Sequence, residues 1–193
     1  MNFNLKSCPS LQVSVDAIYL VMSNSDPFVI SPADTQEDLN AVGQLFKAYA
    51  LALGIDLSFQ DFAAELASLP GKYALPTGCL LLARNREGRS VSCVGLRPLP
   101  VDEDDGGNAV VGSSCCEMKR LYVDPSQRGS GLGKMLAEEA IREARRMGYQ
   151  RMRLDTLPSM QSARALYKAL GFREIEPYYL TPIDGTIFME LEL

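Results

Sequence analysis

The segment Leu121–Leu136 reads Leu-Tyr-Val-Asp-Pro-Ser-Gln-Arg-Gly-Ser-Gly-Leu-Gly-Lys-Met-Leu. This pattern predicts a strand, a glycine-rich turn and the first turn of a helix, in that order. Gly129, Gly131 and Gly133 remove side chains from the turn, so backbone N–H groups can converge on an anion at the positive end of the helix dipole. A plain strand-to-helix connection that needs glycine for tightness fits equally well. The turn alone therefore leaves both interpretations open.

Two familiar phosphate loops do not fit this turn. A Walker loop requires a hydroxyl residue after Gly-Lys to hold magnesium, whereas Gly133-Lys134 is followed by Met135. The dinucleotide fingerprint Gly-x-Gly-x-x-Gly differs in spacing from Gly129-x-Gly131-x-Gly133, and no acidic residue in a following strand lies where a ribose would be bound. The sequence therefore excludes both of these nucleotide sites.

The remaining pattern, Arg128-x-x-Gly131-x-Gly133, resembles the pyrophosphate loop of the GNAT N-acetyltransferase superfamily, [Gln/Arg]-x-x-Gly-x-[Gly/Ala], which holds coenzyme A. Two further stretches carry the resemblance. Cys116–Val123 resembles the fourth strand of the family, and Ala163–Phe172 resembles its later helix, typically Ala-x-x-Leu-Tyr-x-x-x-Gly-Phe. Two motifs in this order, about forty residues apart, make the resemblance specific.

The resemblance is uneven along the chain. It is strong over residues 115–179, loose over 27–95 and absent before residue 27. The family often has an Asn that contacts the cofactor seven residues before the helix tyrosine, and here that position is Met160. A contact to the pantetheine arm is therefore expected to be missing or supplied by another group.

The resemblance implies a single GNAT domain of the α/β (α+β) class over residues 27–193, with a mixed central sheet of about six to seven strands flanked by about four helices. Thr35 with Asp38 predicts a capping box at the start of the first helix. The second helix is predicted over Ser58–Leu69 with Phe59 directed inward. Residues 1–26 show weak strand-like patterning and no motif, and are predicted to form an N-terminal extension, either an added strand and loop or a loosely held segment.

Charge and hydropathy limit the partners. A chain of 193 residues is long enough for one domain with a full core, and its net charge of −5 argues against nucleic acid as the main partner. No apolar run approaches the roughly eighteen residues of a membrane span. Asp16 interrupts the N-terminal apolar stretch, so no signal peptide and no membrane partner are expected.

Residue types also limit the chemistry. The chain has no histidine, which removes Ser-His and Cys-His triads and most zinc sites, so no metal is expected. Its five cysteines include no Cys-x-x-Cys pair, and their number is odd. Free buried thiols in a reducing compartment are therefore expected, and the predicted location is cytoplasmic.

The resemblance implies acetyl-CoA as the cofactor. The loop would hold its phosphates through backbone N–H groups, and a Cβ at Gly131 or Gly133 would block their close approach. The main chain of Leu121 and Val123 would pair with the pantetheine arm. The implied cofactor-binding residues are Leu121, Val123, Arg128, Gly129, Ser130, Gly131, Leu132, Gly133 and Lys134.

The implied catalytic residues are Tyr167 and Glu117. Tyr167 matches the family tyrosine that donates a proton to the departing thiolate, and a phenol of pKa about 10 is protonated at neutral pH. Glu117 lies at the spacing where histone-type members carry the base that deprotonates the amine. A structural role for Glu117, as a partner of Lys119, Arg120 or Arg153, is an equal alternative. Asp155 on the neighbouring strand and a water relay also remain open as bases.

The predicted function is an acetyl-CoA-dependent N-acetyltransferase that acts on a small-molecule or peptide amine by direct attack in a ternary complex. No nucleophile stands out, although Cys115 and Cys116 could in principle carry an acyl group, which a burst of acyl-enzyme would reveal. The alternative is a non-catalytic sensor or structural domain that binds CoA or acyl-CoA. The sequence identifies neither the acceptor amine nor the oligomeric state, and it leaves a homodimer open.

Overall fold

The computed structural model describes residues 27–99 and 114–193. The predicted N-terminal extension, residues 1–26, lies outside the described residues. Seven strands and four α-helices are present in this part of the chain. They are β1 (Phe28–Pro32), α1 (Gln36–Leu53), α2 (Phe62–Ala67), β2 (Cys79–Asn85), β3 (Ser90–Pro98), β4 (Cys115–Val123), α3 (Leu132–Arg146), β5 (Arg151–Thr156), α4 (Gln161–Ala169), β6 (Arg173–Ile175) and β7 (Ile187–Glu192).

The strands form one mixed sheet in the order β1-β2-β3-β4-β5-β7-β6. All neighbours pair antiparallel except β4 and β5, which are parallel. This parallel pairing extends only from Cys115–Glu117 to Arg151–Arg153. Beyond Glu117 the two strands separate, and no strand of the described residues pairs with the second half of β4 on that side. The predicted fold class is confirmed.

The pairing of β4 with β3 contains a β-bulge, which lies in the half of β4 that does not pair with β5. The register with β3 shifts between Cys93, which pairs with Tyr122, and Gly95, which pairs with Lys119. Arg120 lies in this shift with a φ of 59°, an uncommon conformation for a residue with a side chain. A bulge bends its strand and redirects side chains, so it accompanies the separation of β4 from β5.

Alternating residues of the central strands bury against helices on both faces of the sheet. Leu81 and Ala83 belong to the core with α3 and α4, which includes Leu136 and Ala140. Leu80 and Leu82 belong to the opposite core with α1, whose buried residues include Phe46. Within the described ranges, no helix combines the length and hydrophobicity that crossing a bilayer requires.

The predicted second helix is wrong in extent. Ser58–Gln60 form a 3₁₀ turn, Asp61 adopts φ 54°, and α2 begins only at Phe62. The Asp56 side chain accepts hydrogen bonds from the Ser58 N–H and hydroxyl, both at 2.9 Å, and so tightens the chain locally. Phe59 is consequently 36% exposed rather than directed inward.

Candidate active site

The turn between β4 and α3 presents unpaired backbone donors. Gly129 and Gly131 adopt φ values of 79° and 85°, which glycine reaches without strain. Gly131 precedes α3 without a side-chain cap. In residues 27–99 and 114–193, the N–H groups of Gly129, Ser130, Gly131 and Gly133 have no hydrogen-bond acceptor. Because four free donors lie at the positive end of a 15-residue helix, this turn is suited to an anion.

The space beside this turn is open. An added Cβ at Gly129 or Gly131 would meet no atom within 4 Å. Gly133 differs, because a Cβ there would lie 3.5 Å from Val123 Cγ2 and face the protein. Close approach of a ligand therefore remains free at Gly129 and Gly131. At Gly133 an added Cβ would make ordinary contact with the Val123 side chain, so the expected block of a ligand there stays a prediction.

The charged side chains of the loop turn away from the unpaired donors. Arg128 Nε donates to the Val123 carbonyl at 3.2 Å. Lys134 Nζ lies 3.7 Å from Glu138 in an exposed ion pair along α3. The anion-binding capacity of the turn thus comes from main-chain N–H groups, with the helix dipole behind them.

A cavity of about 40 Å³ opens where β4 and β5 separate. It brings together three residues singled out from the sequence, Tyr167, Asp155 and Leu121, and the departure from the family pattern, Met160. Glu117 and Val123 do not line it. The lining residues are Tyr49, Leu53, Ile55, Leu57, Gln60, Met118, Lys119, Arg120, Leu121, Asp155, Thr156, Leu157, Met160, Tyr167 and Ile183.

Tyr167 is buried on α4, with its ring 5.7 Å from the ring of Phe172. Its hydroxyl has no hydrogen-bond partner among the described residues. Burial raises the pKa of this phenol, and the nearby Tyr49 and Asp155 raise it further. The hydroxyl is therefore protonated throughout the physiological range and has a donor proton free for a ligand.

Glu117 is 1% exposed and has both carboxylate oxygens occupied. Oε2 accepts from Arg97 Nε at 2.8 Å and lies 2.7 Å from Arg97 Nη2. Oε1 accepts from the Tyr178 hydroxyl at 2.8 Å and lies 3.5 Å from Lys119 Nζ. Of the three partners expected from the sequence, only Lys119 lies within ion-pair distance of the carboxylate; Arg153 is its neighbour in the β4–β5 ladder, but the Arg153 side chain pairs with Glu190. No pattern in the sequence pointed to Arg97 or Tyr178.

Asp155 and Lys119 connect the two separating strands. Lys119 Nζ donates to Asp155 Oδ1 at 2.5 Å, with the two side chains 6% and 19% exposed. Lys119 also lies over the ring of Tyr179, 5.7 Å from its centroid. Among the described residues that line the cavity, Asp155 alone carries a carboxylate.

Arg120, which the sequence assigned only as a partner for Glu117, pairs instead with Glu65. Its Nη2 donates to Glu65 Oε2 at 2.6 Å, and its Nε donates to Oε1 at 3.2 Å. The guanidinium lies against the rings of Tyr49 and Phe62, at 5.7 and 5.1 Å. Burial alone would raise the pKa of Glu65, but the hydrogen bond and charge of Arg120 outweigh it and hold that pKa below its ordinary value.

Neither cysteine of the Cys115-Cys116 pair lines the cavity. Burial raises the pKa of both thiols, so each is held in the protonated, weakly nucleophilic form. Met160, by contrast, does line the cavity. Its sulfur accepts a hydrogen bond from the Thr156 hydroxyl at 3.8 Å. This geometry gives no support to an acyl-enzyme on either thiol.

Comparisons with known proteins agree with this geometry. The family model described as "Acetyltransferase (GNAT) family" matches residues 44–172. A Schizosaccharomyces pombe protein named as an uncharacterized N-acetyltransferase is 40% identical over 164 residues, which cover 85% of this chain and 94% of the relative. A Dictyostelium discoideum protein, also named as an uncharacterized N-acetyltransferase, is 32% identical over an alignment that covers 86% of this chain and 99% of that relative.

A solved structure extends the likeness to the fold. The Salmonella typhimurium acetyltransferase YncA, determined with its cofactor acetyl-CoA, superimposes with a TM-score of 0.64 at 21% identity and covers 86% of this chain and 94% of its own. The chain belongs to the acetyltransferase (GNAT) family. The predicted family, the class of acyltransferase and acetyl-CoA as the cofactor are confirmed. The comparisons give no support to a non-catalytic sensor.

Proposed function

We propose that this chain transfers the acetyl group of acetyl-CoA to a small-molecule or peptide amine by direct attack in a ternary complex. The observation that carries the proposal is a continuous path along β4. The strand runs from the cavity that contains Tyr167 and Asp155, past Leu121, to Val123 and the turn of unpaired N–H groups. A cofactor whose phosphates bind at the turn would lay its pantetheine arm along β4, and its thioester would then meet an amine held in the cavity.

In this proposal the loop and β4 hold the cofactor. The free N–H groups of Gly129, Ser130, Gly131 and Gly133 bind its phosphates, with Arg128, Leu132 and Lys134 shaping the same turn. The main chain of Leu121 and Val123 lies at the unpaired edge of β4 and orients the pantetheine arm. Acetyl-CoA, when bound, supplies an activated acetyl thioester whose cleavage leaves a thiolate.

Tyr167 is the proposed general acid. Its hydroxyl carries a proton that no protein group in the described ranges accepts, and it lines the cavity. The phenol can donate a hydrogen bond to the departing sulfur as negative charge develops on it. Because an ordinary thiol has a pKa of about 8.5, below that of the phenol, this hydrogen bond is favoured over complete transfer of the proton. The interaction forms mainly as the carbon–sulfur bond breaks, which makes it one that raises kcat.

Asp155 is the proposed acceptor of the amine proton, either directly or through water. Two observations support the choice of Asp155 over Glu117. Asp155 lines the cavity, whereas Glu117 lies outside the lining and already accepts hydrogen bonds from Arg97 and Tyr178. Glu117 is therefore proposed as a positioning residue that fixes Lys119, and Lys119 in turn orients Asp155.

The experiment that tests the function is an amine and peptide screen that follows thiol release, with mass spectrometry of the products. The expected result is one acetylated amine for each free CoA, with no burst of acyl-enzyme. Binding of acetyl-CoA by calorimetry without thiol release on any amine or peptide would contradict the proposal and favour the sensor. A rapid burst of thiol release equal to the enzyme concentration would contradict direct attack.

We also propose that the protein works in the cytoplasm without nucleic acid or membrane partners. The support is the chemistry of its thiols and its charge. Cys79, Cys93 and Cys116 are buried and form no disulfide within the described residues, which suits a reducing compartment. The net charge of −5 disfavours phosphate polymers. Fractionation of tagged protein, together with sizing to decide whether it forms a homodimer, would test this assignment.

A further inference from the structure

The cavity between β4 and β5 is lined from both faces of the sheet. Met118 and Tyr167 belong to the core that packs with α3 and α4, whereas Tyr49 belongs to the core that packs with α1. The turn of unpaired N–H groups lies at the start of α3, so a cofactor held there would reach the cavity from the α3 face. The α1 face of the cavity is then left for the acceptor.

Four aliphatic side chains line the cavity on the side of α1 and of the segment between β6 and β7. Leu53 ends α1, and Ile55 and Leu57 lie in the link from α1 to the 3₁₀ turn. Ile183 comes from the segment between β6 and β7. Leu57 is buried, and the other three side chains are partly exposed. Apolar side chains that meet in a concave site and remain partly exposed favour a ligand that covers them.

The segment that carries Ile183 is fixed to the α1 face of the sheet. Tyr178, in this segment, donates to Glu117 at 2.8 Å. Both neighbours of Glu117 along β4 belong to the core with α3, so its own side chain lies on the α1 face. The main chain of Ile183 is also bound, because its N–H donates to the Thr181 hydroxyl at 3.2 Å and its carbonyl accepts from the Thr186 hydroxyl at 2.8 Å. A change in the Ile183 side chain should therefore alter the lining without releasing the segment.

The charged groups in the cavity walls are already paired with one another. Lys119 Nζ lies 2.5 Å from Asp155 Oδ1 and 3.5 Å from Glu117 Oε1. The other carboxylate oxygen of Glu117 lies 2.7 Å from Arg97 Nη2. Two cations and two carboxylates therefore form one connected group beside the cavity, and their charges cancel.

The remaining cation of the lining is compensated as well. Arg120 Nη2 lies 2.6 Å from Glu65 Oε2, and the guanidinium also hydrogen-bonds the Tyr49 hydroxyl. The ion pairs among the described residues thus leave no net charge in the walls. A second charged group on the acceptor, besides its amine, would lose its hydration there without meeting a free opposite charge.

Two exposed acids lie next to the aliphatic side chains in sequence. Asp56 stands between Ile55 and Leu57, and Asp184 follows Ile183. In the part of the chain that the structure describes, neither acid forms an ion pair. Their charges attract a protonated amine and repel a carboxylate, so they act in the same direction as the neutral walls.

We propose that the acceptor is an amine whose substituent is apolar and carries no carboxylate. Its amine lies beside Asp155, and its aliphatic group covers Leu53, Ile55, Leu57 and Ile183. The cavity volume of about 40 Å³ admits about three groups of the size of water, so the buried part of the substituent is short. This inference rests on the proposed function and names its substrate class.

The test combines three acceptors with three variants. The acceptors n-butylamine, 2-methoxyethylamine and glycine have the same number of heavy atoms and carry an apolar group, an ether and a carboxylate, respectively. Ile183→Thr and Ile55→Thr keep a β-branched side chain but replace its apolar end by a hydroxyl. Ile30→Thr makes the same change at a partly exposed position on β1 that does not line the cavity, and it serves as the matched control.

For the wild-type protein, kcat/KM per neutral amine should be about tenfold higher with n-butylamine than with 2-methoxyethylamine, and lowest with glycine. Ile183→Thr and Ile55→Thr should each lower the value for n-butylamine by about three- to tenfold and that for 2-methoxyethylamine by less than about twofold, since only the first loses apolar contact. The KM for acetyl-CoA should stay unchanged, and Ile30→Thr should alter neither rate. Each acceptor is compared with itself across the variants, so differences in amine pKa cancel.

Three results would overturn the inference. Both lining variants could lower the rates with n-butylamine and 2-methoxyethylamine equally, or change neither, and these side chains would then only shape the cavity. The KM for acetyl-CoA could rise in both, and the side chains would then contact the cofactor. The wild-type protein could prefer 2-methoxyethylamine or glycine, and the site would then select a polar acceptor.

The amine and peptide screen separates these outcomes from a failure of the proposed function, in which no amine or peptide gives thiol release. If the screen identifies a larger acceptor than these three, the same variants are measured with it. A loss of kcat/KM in Ile183→Thr and Ile55→Thr but not in Ile30→Thr would then support the inference. An unchanged value in both lining variants would overturn it.

Discussion

Lys119 Nζ lies 2.5 Å from Asp155 Oδ1 and so bridges β4 and β5 just where their backbones stop pairing. Beyond the last paired residues of β4 and β5, this ion pair, rather than main-chain hydrogen bonds, joins the two strands beside the cavity. Asp155, the one carboxylate among the described residues of the cavity lining, is thereby held at the point where the proposed acceptor amine would lie beside β4.

Asp155→Asn should therefore lower kcat/KM by about a hundredfold or more, the usual effect of losing a general base. The loss should shrink at high pH, where more of the amine is already neutral. Glu190→Gln is the control, because it neutralises a carboxylate paired to Arg153 at 2.7 Å that does not line the cavity. Profiles of kcat/KM against pH decide the matter, and an equal, pH-independent loss in both variants would reject Asp155 as the proton acceptor.

Tyr167→Phe should lower kcat and kcat/KM together by about ten- to a thousandfold, with little change in KM. The fold should survive, because the hydroxyl makes no hydrogen bond within the described residues. Tyr149→Phe should behave in the opposite way. It removes a 2.6 Å hydrogen bond to the Thr77 carbonyl, so it should cost about 1 kcal/mol of stability and leave kcat unchanged. A near-normal rate for Tyr167→Phe when chemistry limits turnover would remove it as the acid.

The pH dependence of the wild-type rate provides a separate check on Tyr167. Burial and the nearby Tyr49 and Asp155 raise the pKa of this phenol above its ordinary value of about 10. The acid therefore stays protonated while the amine loses its proton, and kcat/KM should rise with pH to a plateau with no fall below about pH 10. A descending limb between pH 8 and about 9 that disappears in Tyr167→Phe would show that the phenol titrates much lower than its surroundings imply.

Gly131→Ala should weaken acetyl-CoA binding by about 1–3 kcal/mol, because the left-handed backbone at φ 85° is strained with a side chain and the free N–H groups lose their alignment. Gly88→Ala is the matched control. Gly88 has φ 74° and equally open space in the turn between β2 and β3, so it carries the same backbone strain far from the loop. Calorimetry and thermal unfolding separate the two effects. Equal affinities in both variants would show that the phosphates bind elsewhere.

The features that the sequence predicted correctly are local. The glycine spacing in the turn fixes its φ values within five residues, and Thr35 and Asp38 form the expected capping box over three residues. Pattern and propensity act over such distances, so a single sequence contains them. The numbers of strands and helices were implied by the resemblance to the family, and the seven strands and four α-helices of the described residues agree with them.

The contacts that decide the site chemistry are remote in sequence. Tyr178 reaches Glu117 across 61 positions, and Arg120 reaches Glu65 across 55. These pairs depend on the strand register and on the bulge at Arg120, and neither produces a periodic pattern of residues from which it could be predicted. Gln60 was missed for a related reason, since the predicted helix over Ser58–Leu69 breaks at Asp61 and redirects it into the cavity.

Glu117→Gln should act on stability more than on chemistry. It leaves Arg97 and Lys119 without one buried negative charge, and breaking such a buried pair costs about 3 kcal/mol or more. The shape of the pH–rate profile should remain that of the wild type. Glu174→Gln, in an exposed pair with Lys168, should leave the unfolding transition unchanged. A normal unfolding transition with a large, pH-dependent loss of rate would instead make Glu117 the base.

Glu65→Gln tests whether the Arg120 pair stabilises the fold in a pH-dependent way. Although burial alone would raise the pKa of Glu65, Arg120 holds it below the ordinary value of about 4.3. A carboxyl whose pKa is lower when folded adds stability that is fully present above its unfolded pKa and is lost as the pH falls through the folded pKa.

At pH 7 the Glu65→Gln variant should lose about 3 kcal/mol of unfolding free energy, the cost of breaking a buried pair. The gap between variant and wild type should narrow from about pH 4 downwards, whereas Glu87→Gln in the exposed turn after β2 should show no gap at any pH. Urea unfolding at pH 7, 5, 4 and 3 measures this directly, and a gap that stays constant with pH would show that Glu65 stabilises the fold by shape and hydrogen bonding rather than by its charge.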